Sequence, residues 1–234
     1  MASIQFTQIG ILECEQKERY EAPRQGVYAD GNKGIIRLNP KCNFEQAVKD
    51  LEGFDKIWLI YQFNQNPNWK PLVRPPRYFK GKIGVFATRS PFRPNPIGLS
   101  CVNLVKVEKL NIHITDFDLL DQTPILDIKP YLPYSDSFPE AKTGWVEKLE
   151  KTFSIIFAEL AEEQLNWVFE KYSINLKNYI KVQLQFEPEN VFRKRITSLS
   201  ENIFILSYRT WKIHYEVDKH NNSVYILKIS FEQK

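Results

Sequence analysis

Residues 99–119, LSCVNLVKVEKLNIHITDFDL, hold two strand-like runs, Leu99 to Lys106 and Ile112 to Leu119, on either side of Lys109-Leu110-Asn111. Both runs are rich in branched and apolar residues, and the three residues between them read as a hairpin turn. Strand signals continue on both sides. Ile4-Phe6-Gln8 begins an alternating pattern, Asp55 to Phe63 (DKIWLIYQF) is a strongly apolar strand, Lys82 to Thr88 is another, and Leu126 to Tyr131 is a further short one. One helix interrupts the series. Asn43 reads as its N-cap with Gln46 as capping-box partner, Phe44, Ala47, Val48 and Leu51 share a face, and Gly53 supplies a left-handed stop. Many short strands with Pro/Gly turns and a single helix predict a mainly β, closed or nearly closed barrel over residues 1–142. Strands do not alternate regularly with helices, which disfavours a doubly wound sheet.

The composition changes near residue 140. Lys142 to Thr152 is polar and reads as a link, Phe153 to Phe157 as a strand, and Glu159 to Tyr172 as a helix with Leu165, Val168, Phe169 and Tyr172 on one face. Asn175 to Phe186 reads as a second helix. Ile203 to Val217 and Val224 to Phe231 read as long strands joined through residues 218–222. Residues 143–234 are therefore expected to form a small α+β domain.

The chain has 234 residues, 43% of them hydrophobic and 14% aromatic, enough for a core and too many for a disordered chain. Cys14, Cys42 and Cys101 are an odd number at wide spacing, which fits reduced thiols in a cytoplasmic protein. No run approaches the roughly 18 apolar residues of a membrane span, and Met1 to Gly10 lacks the apolar core of a secretory segment. The sequence contains no G-x-G-x-x-G, no phosphate-binding P-loop and no G-x-S-x-G elbow. His113, His214 and His220 lie far from any cysteine pair, so no metal site is expected.

Charge is distributed unevenly. The formal net charge is +4, yet Lys56 to Val107 contains nine Lys and Arg and no Asp or Glu. The remainder of the chain is net acidic. Trp58, Tyr61, Phe63, Trp69, Tyr78, Phe79, Phe86 and Phe92 are interleaved with these cations, a mixture suited to phosphates and stacked bases. Within this segment, FATRSPFRPNPIGLS (residues 86–100) is stiffened by Pro91, Pro94 and Pro96 and presents Arg89 and Arg93 as fork-shaped donors. A rigid turn between strands would account for it as well. The next segment, DFDLLDQTPILDIKPY (residues 116–131), gathers Asp116, Asp118, Asp121 and Asp127. These acids suit the hydroxyls or amino group of an adenosine-bearing cofactor, or ordinary turns and ion pairs.

The two segments together resemble the TrmO (TsaA-like) family of tRNA methyltransferases. Its signature, close to G-V-F-x-T-R-S-P-x-R-P-N-P-I-G-x-S, runs here from Gly84 to Ser100. Its D-x-x-D-G-T-P-x-x-D-I-K-P-Y segment runs from Asp118 to Tyr131. Pro23-Arg24-Gln25 and Val73-Arg74-Pro75-Pro76-Arg77 also match, so the resemblance covers most of the first 140 residues. It implies a β-barrel methyltransferase that uses S-adenosylmethionine, forms a homodimer with the cofactor near the subunit interface, and needs neither metal nor membrane. The implied substrate is N6-threonylcarbamoyladenosine at position 37, chiefly of threonine tRNA.

Carried over by motif, the implied cofactor contacts are Pro23, Arg24, Gln25, Asn64, Gln65, Arg89, Leu99 and the run Asp118, Leu119, Leu120 and Asp121. Asp127 or Tyr131 is a candidate proton acceptor. Arg74, Arg77, Arg93, Arg193, Lys194 and Arg195 are candidates for tRNA contact. Three positions depart from the family pattern. Asn64 stands where many members have His, and Gln122 replaces the Gly of D-G-T-P, which is strained if that position requires φ > 0. In the C-terminal part, Glu189 replaces the first Arg of a D-P-R-P-x-Y-like segment. The competing reading from the residues alone is a non-catalytic β-barrel that binds RNA.

Overall fold

The computed structural model describes residues 4–232 except 24, 30, 67, 76–80, 149–151 and 193. The chain divides into two compact units, Met1–Lys142 and Thr143–Lys234.

The first unit is a closed six-stranded barrel. In chain order its strands are β1 (Gly10–Cys14), β2 (Lys33–Leu38), β3 (Lys56–Gln62), then, past a two-stranded ribbon of β4 (Leu72–Val73) and β5 (Ile83–Gly84), β6 (Ile97–Glu108), β7 (Asn111–Thr115) and β8 (Pro124–Pro130). The circular order is β1-β2-β7-β6-β3-β8, and every neighbouring pair is antiparallel. Alternation sends Leu12, Ile36, Leu38, Ile57, Leu59, Val102, Ile112, Ile114 and Ile125 inward to a common core. Each such side chain, fully buried, contributes about 1.5–3 kcal/mol relative to exposure.

The sheet corrects several sequence expectations. β2 is a strand that the apolar pattern did not single out, because Gly34, Ile36 and Leu38 alternate with Lys33 and Arg37. The strand expected from Lys82 to Thr88 lasts only two residues before a 3-10 turn at Val85–Ala87. β7 stops at Thr115 because Asp116 turns left-handed (φ 58°), so Phe117 and Leu119 enter the core from a loop.

The helix is shorter than expected: α1 spans only Phe44–Ala47, followed by a 3-10 turn at Leu51–Gly53. Asn43 is itself left-handed (φ 59°) and its side chain makes no cap bond, since an N-cap needs extended backbone. Asp50 (φ 65°), and not Gly53, supplies the left-handed turn. Phe44, Val48 and Leu51 still pack on the barrel core, while Ala47 faces solvent. A short α2 (Pro133–Asp136) closes the first unit, its Asp136 Oδ2 accepting from Trp58 Nε1 at 2.8 Å.

In the second unit, a five-stranded sheet carries two helices. The strands are β9 (Ser154–Phe157), β10 (Ile196–Ser198), β11 (Ile203–Tyr208), β12 (Trp211–Asp218) and β13 (Ser223–Phe231), in the order β10-β11-β12-β13-β9. Only β9 is parallel to its neighbour. The helices are α3 (Glu159–Tyr172) and α4 (Leu176–Leu184). The long strand expected from Ile203 to Val217 is a hairpin, folded at Arg209 (φ 53°) so that Tyr208 pairs with Trp211. Phe169 and Tyr172, expected on the apolar face of α3, are exposed; Ala161, Leu165 and Val168 form that face.

Gln122 has φ 61°, the backbone that a Gly would adopt without strain. Gln122→Gly is expected to raise the melting temperature of the barrel unit by roughly 2–4 °C, for a gain of about 1 kcal/mol, in calorimetry. An unchanged or lower value would show that the position is not strained.

Candidate active site

Antiparallel closure fixes where the connections lie. The links β1→β2, β3→β6 and β7→β8 all leave the same rim of the barrel, whereas β2→β3 and the β6–β7 hairpin lie at the other. Residues 15–32, 63–96 and 116–123 therefore share one end, and they contain nearly every implied cofactor residue.

The three connections are tied together. Asp121 N–H donates to the Gln16 carbonyl at 2.8 Å and Gln122 N–H to that of Leu12 at 2.7 Å. In return, Cys14 N–H donates to Asp121 Oδ1 at 3.0 Å. Asp116 accepts from Gly31 N–H at 3.0 Å and from the Asn103 amide, and Asn32 bonds the backbone of Phe117 in both directions. Gly26 packs so closely on this bend that a Cβ would lie 2.3 Å from the Asp116 carbonyl oxygen. Arg19 reaches across to Gln65, donating to its backbone carbonyl and, at 3.4 Å, to its Oε1. Phe63 N–H donates to the Pro96 carbonyl at 2.8 Å, which fixes the last turn of the proline-rich segment against the end of β3.

Beneath these loops lies a polar network inside the barrel mouth. Ser100 Oγ donates to Asp118 Oδ1 at 2.5 Å and sits 3.1 Å from the Tyr61 hydroxyl. Gly98 makes room for the ring: a Cβ there would lie 2.3 Å from Tyr61. Burial raises the Asp118 carboxyl above its usual range, opposed by the Ser100 hydrogen bond and by the charge of Arg89. Burial also raises Tyr61, reinforced by the charge of Asp118, so the phenol stays neutral. The exposed Arg89 is thus electrostatically coupled to a carboxylate at the barrel mouth. Cys14 is pushed up to about 12, chiefly by burial, and is no thiolate nucleophile.

Other implied contacts divide by position. Pro23 is buried and Gln25 half-buried beside Gly26, while Asn64 and Gln65 are exposed on the turn after β3. Leu119 turns into the core, leaving only its backbone for a ligand; the Leu120 carbonyl accepts from Thr123 N–H and Oγ. Leu99 lies on the outer face of β6, opposite Ile60. Arg24, Arg77 and Arg193 lie outside the described residues.

Several candidates are placed elsewhere or otherwise engaged. Asp127 lies mid-strand on the outer wall, ion-paired with Lys129 at 2.8 Å. Tyr131 is at the opposite rim, its N–H on the Lys56 carbonyl and its ring 5.8 Å from Trp58. Neither meets Arg89 and Asp118 within one chain. Arg93 braces its own loop, donating from Nη1 to the carbonyls of Thr88 at 2.8 Å and Val85 at 3.3 Å. In the second unit, Lys194 Nζ donates to the carbonyls of Gln183 and Phe186, and Arg195 is exposed. Arg74 is exposed at the end of β4.

Tyr61, Ser100 and Arg19 are site residues that the sequence reading missed. The signal for Tyr61 was present: a hydroxyl at an inward position of an apolar strand requires a partner. Two half-buried amides point further to a ligand. Gln16 Oε1 and Asn66 Oδ1, one on each of two site loops, are buried acceptors without a hydrogen-bond partner among the described residues. With Asp118 and Asp121 as acceptors and Arg89 as a bidentate donor, the set suits a molecule carrying amino and hydroxyl donors, a positive charge and a carboxylate. S-adenosylmethionine has all four. Among the described residues no group of three or more His, Cys, Asp or Glu could hold a metal, and no helix is long and apolar enough to cross a membrane.

Comparison with known proteins agrees with this chemistry. The family described as "tRNA-methyltransferase O N-terminal domain" matches residues 11–137. The chain is 37% identical over 202 residues to the tRNA (adenine(37)-N6)-methyltransferase of Escherichia coli, covering 83% of this chain and 86% of that protein. It is 42% identical over 143 residues to a probable S-adenosyl-L-methionine-binding protein of Pyrococcus abyssi, covering 61% of this chain and 76% of that one. The crystal structure of TrmO from Pseudomonas aeruginosa superposes with a TM-score of 0.72 at 25% identity, over 98% of this chain and 99% of that one.

Ser100→Ala removes a hydrogen bond that favours ionised Asp118, so the carboxyl is expected to titrate at still higher pH in a 13C NMR titration. A carboxyl raised in the folded state favours folding when protonated, and that contribution is lost as pH rises through the folded pKa. The variant should therefore lose more stability near neutrality than in acid. An Asp118 titration unmoved by the substitution would remove Ser100 from the network.

Proposed function

This chain belongs to the TrmO family of tRNA methyltransferases, and from that premise we propose that it methylates N6 of the adenosine at position 37 of tRNA, using S-adenosylmethionine. The finer reading is that the base is N6-threonylcarbamoyladenosine, chiefly in threonine tRNA, and that the protein acts in the cytoplasm as a homodimer. The carrying observation is the convergence of three connections at one barrel rim, where the charge of Arg89 acts on Asp118. Gln16, Asn66, Gln65, Asp118 and Asp121 would hold the amino and hydroxyl groups of the cofactor, with the backbone of residues 119–120 close by.

S-adenosylmethionine held there would supply a methyl group from a positively charged sulfur, with a neutral thioether as the other product. Arg89 orients a carboxylate, either that of the cofactor or that of the threonyl group on the base. As N6 gains the methyl group it must lose its proton. Holding the reactants in line can supply roughly 7–11 kcal/mol of the barrier, so orientation by fixed loops is the main contribution asked of the protein. Substrate attraction is supported by the segment from Lys56 to Val107, which has nine cations and no acid.

The direct test is mass spectrometry of tRNA nucleosides from cells lacking this protein. The N6-methyl on threonylcarbamoyladenosine should be absent, and purified chain plus S-adenosylmethionine should restore it; an unaltered nucleoside profile would refute the reading. Arg89→Ala is expected to lose at least about 100-fold in methyl transfer with an unchanged circular dichroism spectrum. Full activity in that variant would remove Arg89 from the site.

A further inference from the structure

We propose that Phe86 is a stacking platform for an unpaired base of the RNA substrate. The inference rests on the tRNA reading above and adds to it a residue, a mode of contact and a partner chemistry.

Phe86 is 76% exposed, although it sits in a turn held by several hydrogen bonds. The 3-10 turn Val85–Ala87 is anchored by the buried Val85 side chain and by Val85 N–H on the Pro71 carbonyl at 3.0 Å. Thr88 closes the turn from both N–H and Oγ onto the Val85 carbonyl, and Arg93 clamps the Val85 and Thr88 carbonyls. A flexible loop could fold an apolar ring away from water. This one holds it out.

The guanidinium of Arg93 lies over one face of the ring, with its Cζ 5.7 Å from the centroid. That contact steadies the ring and leaves the opposite face to solvent. A cation-backed aromatic with one open face is the arrangement on which bases stack without sequence preference.

Electrostatic surroundings select the partner. Arg89 is three residues away, and Arg74 and Lys82 flank the β4–β5 ribbon that leads into the turn. Lys70, whose N–H bonds the Phe92 carbonyl, stands over the Phe92 ring at 4.8 Å. No acid occurs anywhere from Lys56 to Val107, so a polyanion meets no like charge along this connection. An apolar protein partner has no use for such a field, whereas RNA uses both the charge and the ring. Because Phe86 shares its rigid loop with Arg89, a base stacked on it is registered against the barrel mouth.

The test uses the full-length chain and an anticodon stem-loop RNA. Phe86→Ala should weaken RNA binding about 5- to 150-fold by fluorescence anisotropy, and Phe86→Trp should restore it. Phe86→Leu, equally apolar but without a ring face, should not. Affinity for S-adenosylmethionine by calorimetry and mass by light scattering should be those of the wild type. The inference is overturned if Phe86→Leu binds RNA like the wild type, if Phe86→Ala weakens cofactor binding instead, or if it changes the oligomeric state, which would make the ring a protein contact. If wild type moves no methyl group yet binds the RNA in a Phe86-dependent way, the reaction reading fails and the stacking inference stands. If methyl transfer proceeds and RNA binding ignores Phe86, only the inference falls.

Discussion

A sheet of six antiparallel strands closed on itself must place alternate chain connections at the same rim, and here β1→β2, β3→β6 and β7→β8 share it. That constraint brings together residues more than a hundred positions apart, such as Cys14 and Asp121, without a glycine-rich nucleotide turn. The β6–β7 hairpin and the α1 link lie at the opposite rim, where they seal the core with Phe44, Val48, Leu51 and Leu110. One end of the barrel is thus devoted to stability and the other to exposed polar chemistry.

Closure alone would leave three independent loops. Their cross-links make a single site: Asp121 with Cys14 and Gln16, Asp116 with Gly31 and Asn103, Arg19 with Gln65, and Phe63 with Pro96. Most of these bonds are to backbone groups, which fixes loop shape regardless of which side chains face the ligand. Asp118 is the exception. It leans on Ser100, and Ser100 on Tyr61, inside the mouth. A carboxylate held that way is kept in place but poorly hydrated, which is why its proton is bound more tightly than in water.

Much of this was readable in the sequence, for definable reasons. Strands β3, β6, β7 and β8 announce themselves through apolar runs, and the barrel follows from their number. β2 escapes notice because one of its inward positions is Gly34, whose space is filled by Phe117 and Leu12. The helix at Phe44 was overestimated because capping residues were read by type, while Asn43 adopts a backbone that cannot cap. The family motifs fall on loops of one rim, and the last of them runs on through β8 toward the other. Asp118 to Tyr131 is continuous in sequence, but β8 advances about 3.3 Å per residue and carries Tyr131 to the other end of the strand. The partnership of Tyr61 with Ser100 depends on the cross-strand register of β3 and β6, which no local pattern encodes.

The central claim is that the rim bearing Arg89 and Asp118 is where the cofactor binds. Titration of S-adenosylhomocysteine into the 15N-labelled chain, followed by amide chemical shifts, tests it most directly. Shifts should concentrate in residues 14–25, 63–66, 86–99 and 118–123, leaving the hairpin at Lys109 and the Trp58–Tyr131 contact unmoved. Shifts centred on Trp58 and Tyr131, or none at saturating ligand, would contradict the account.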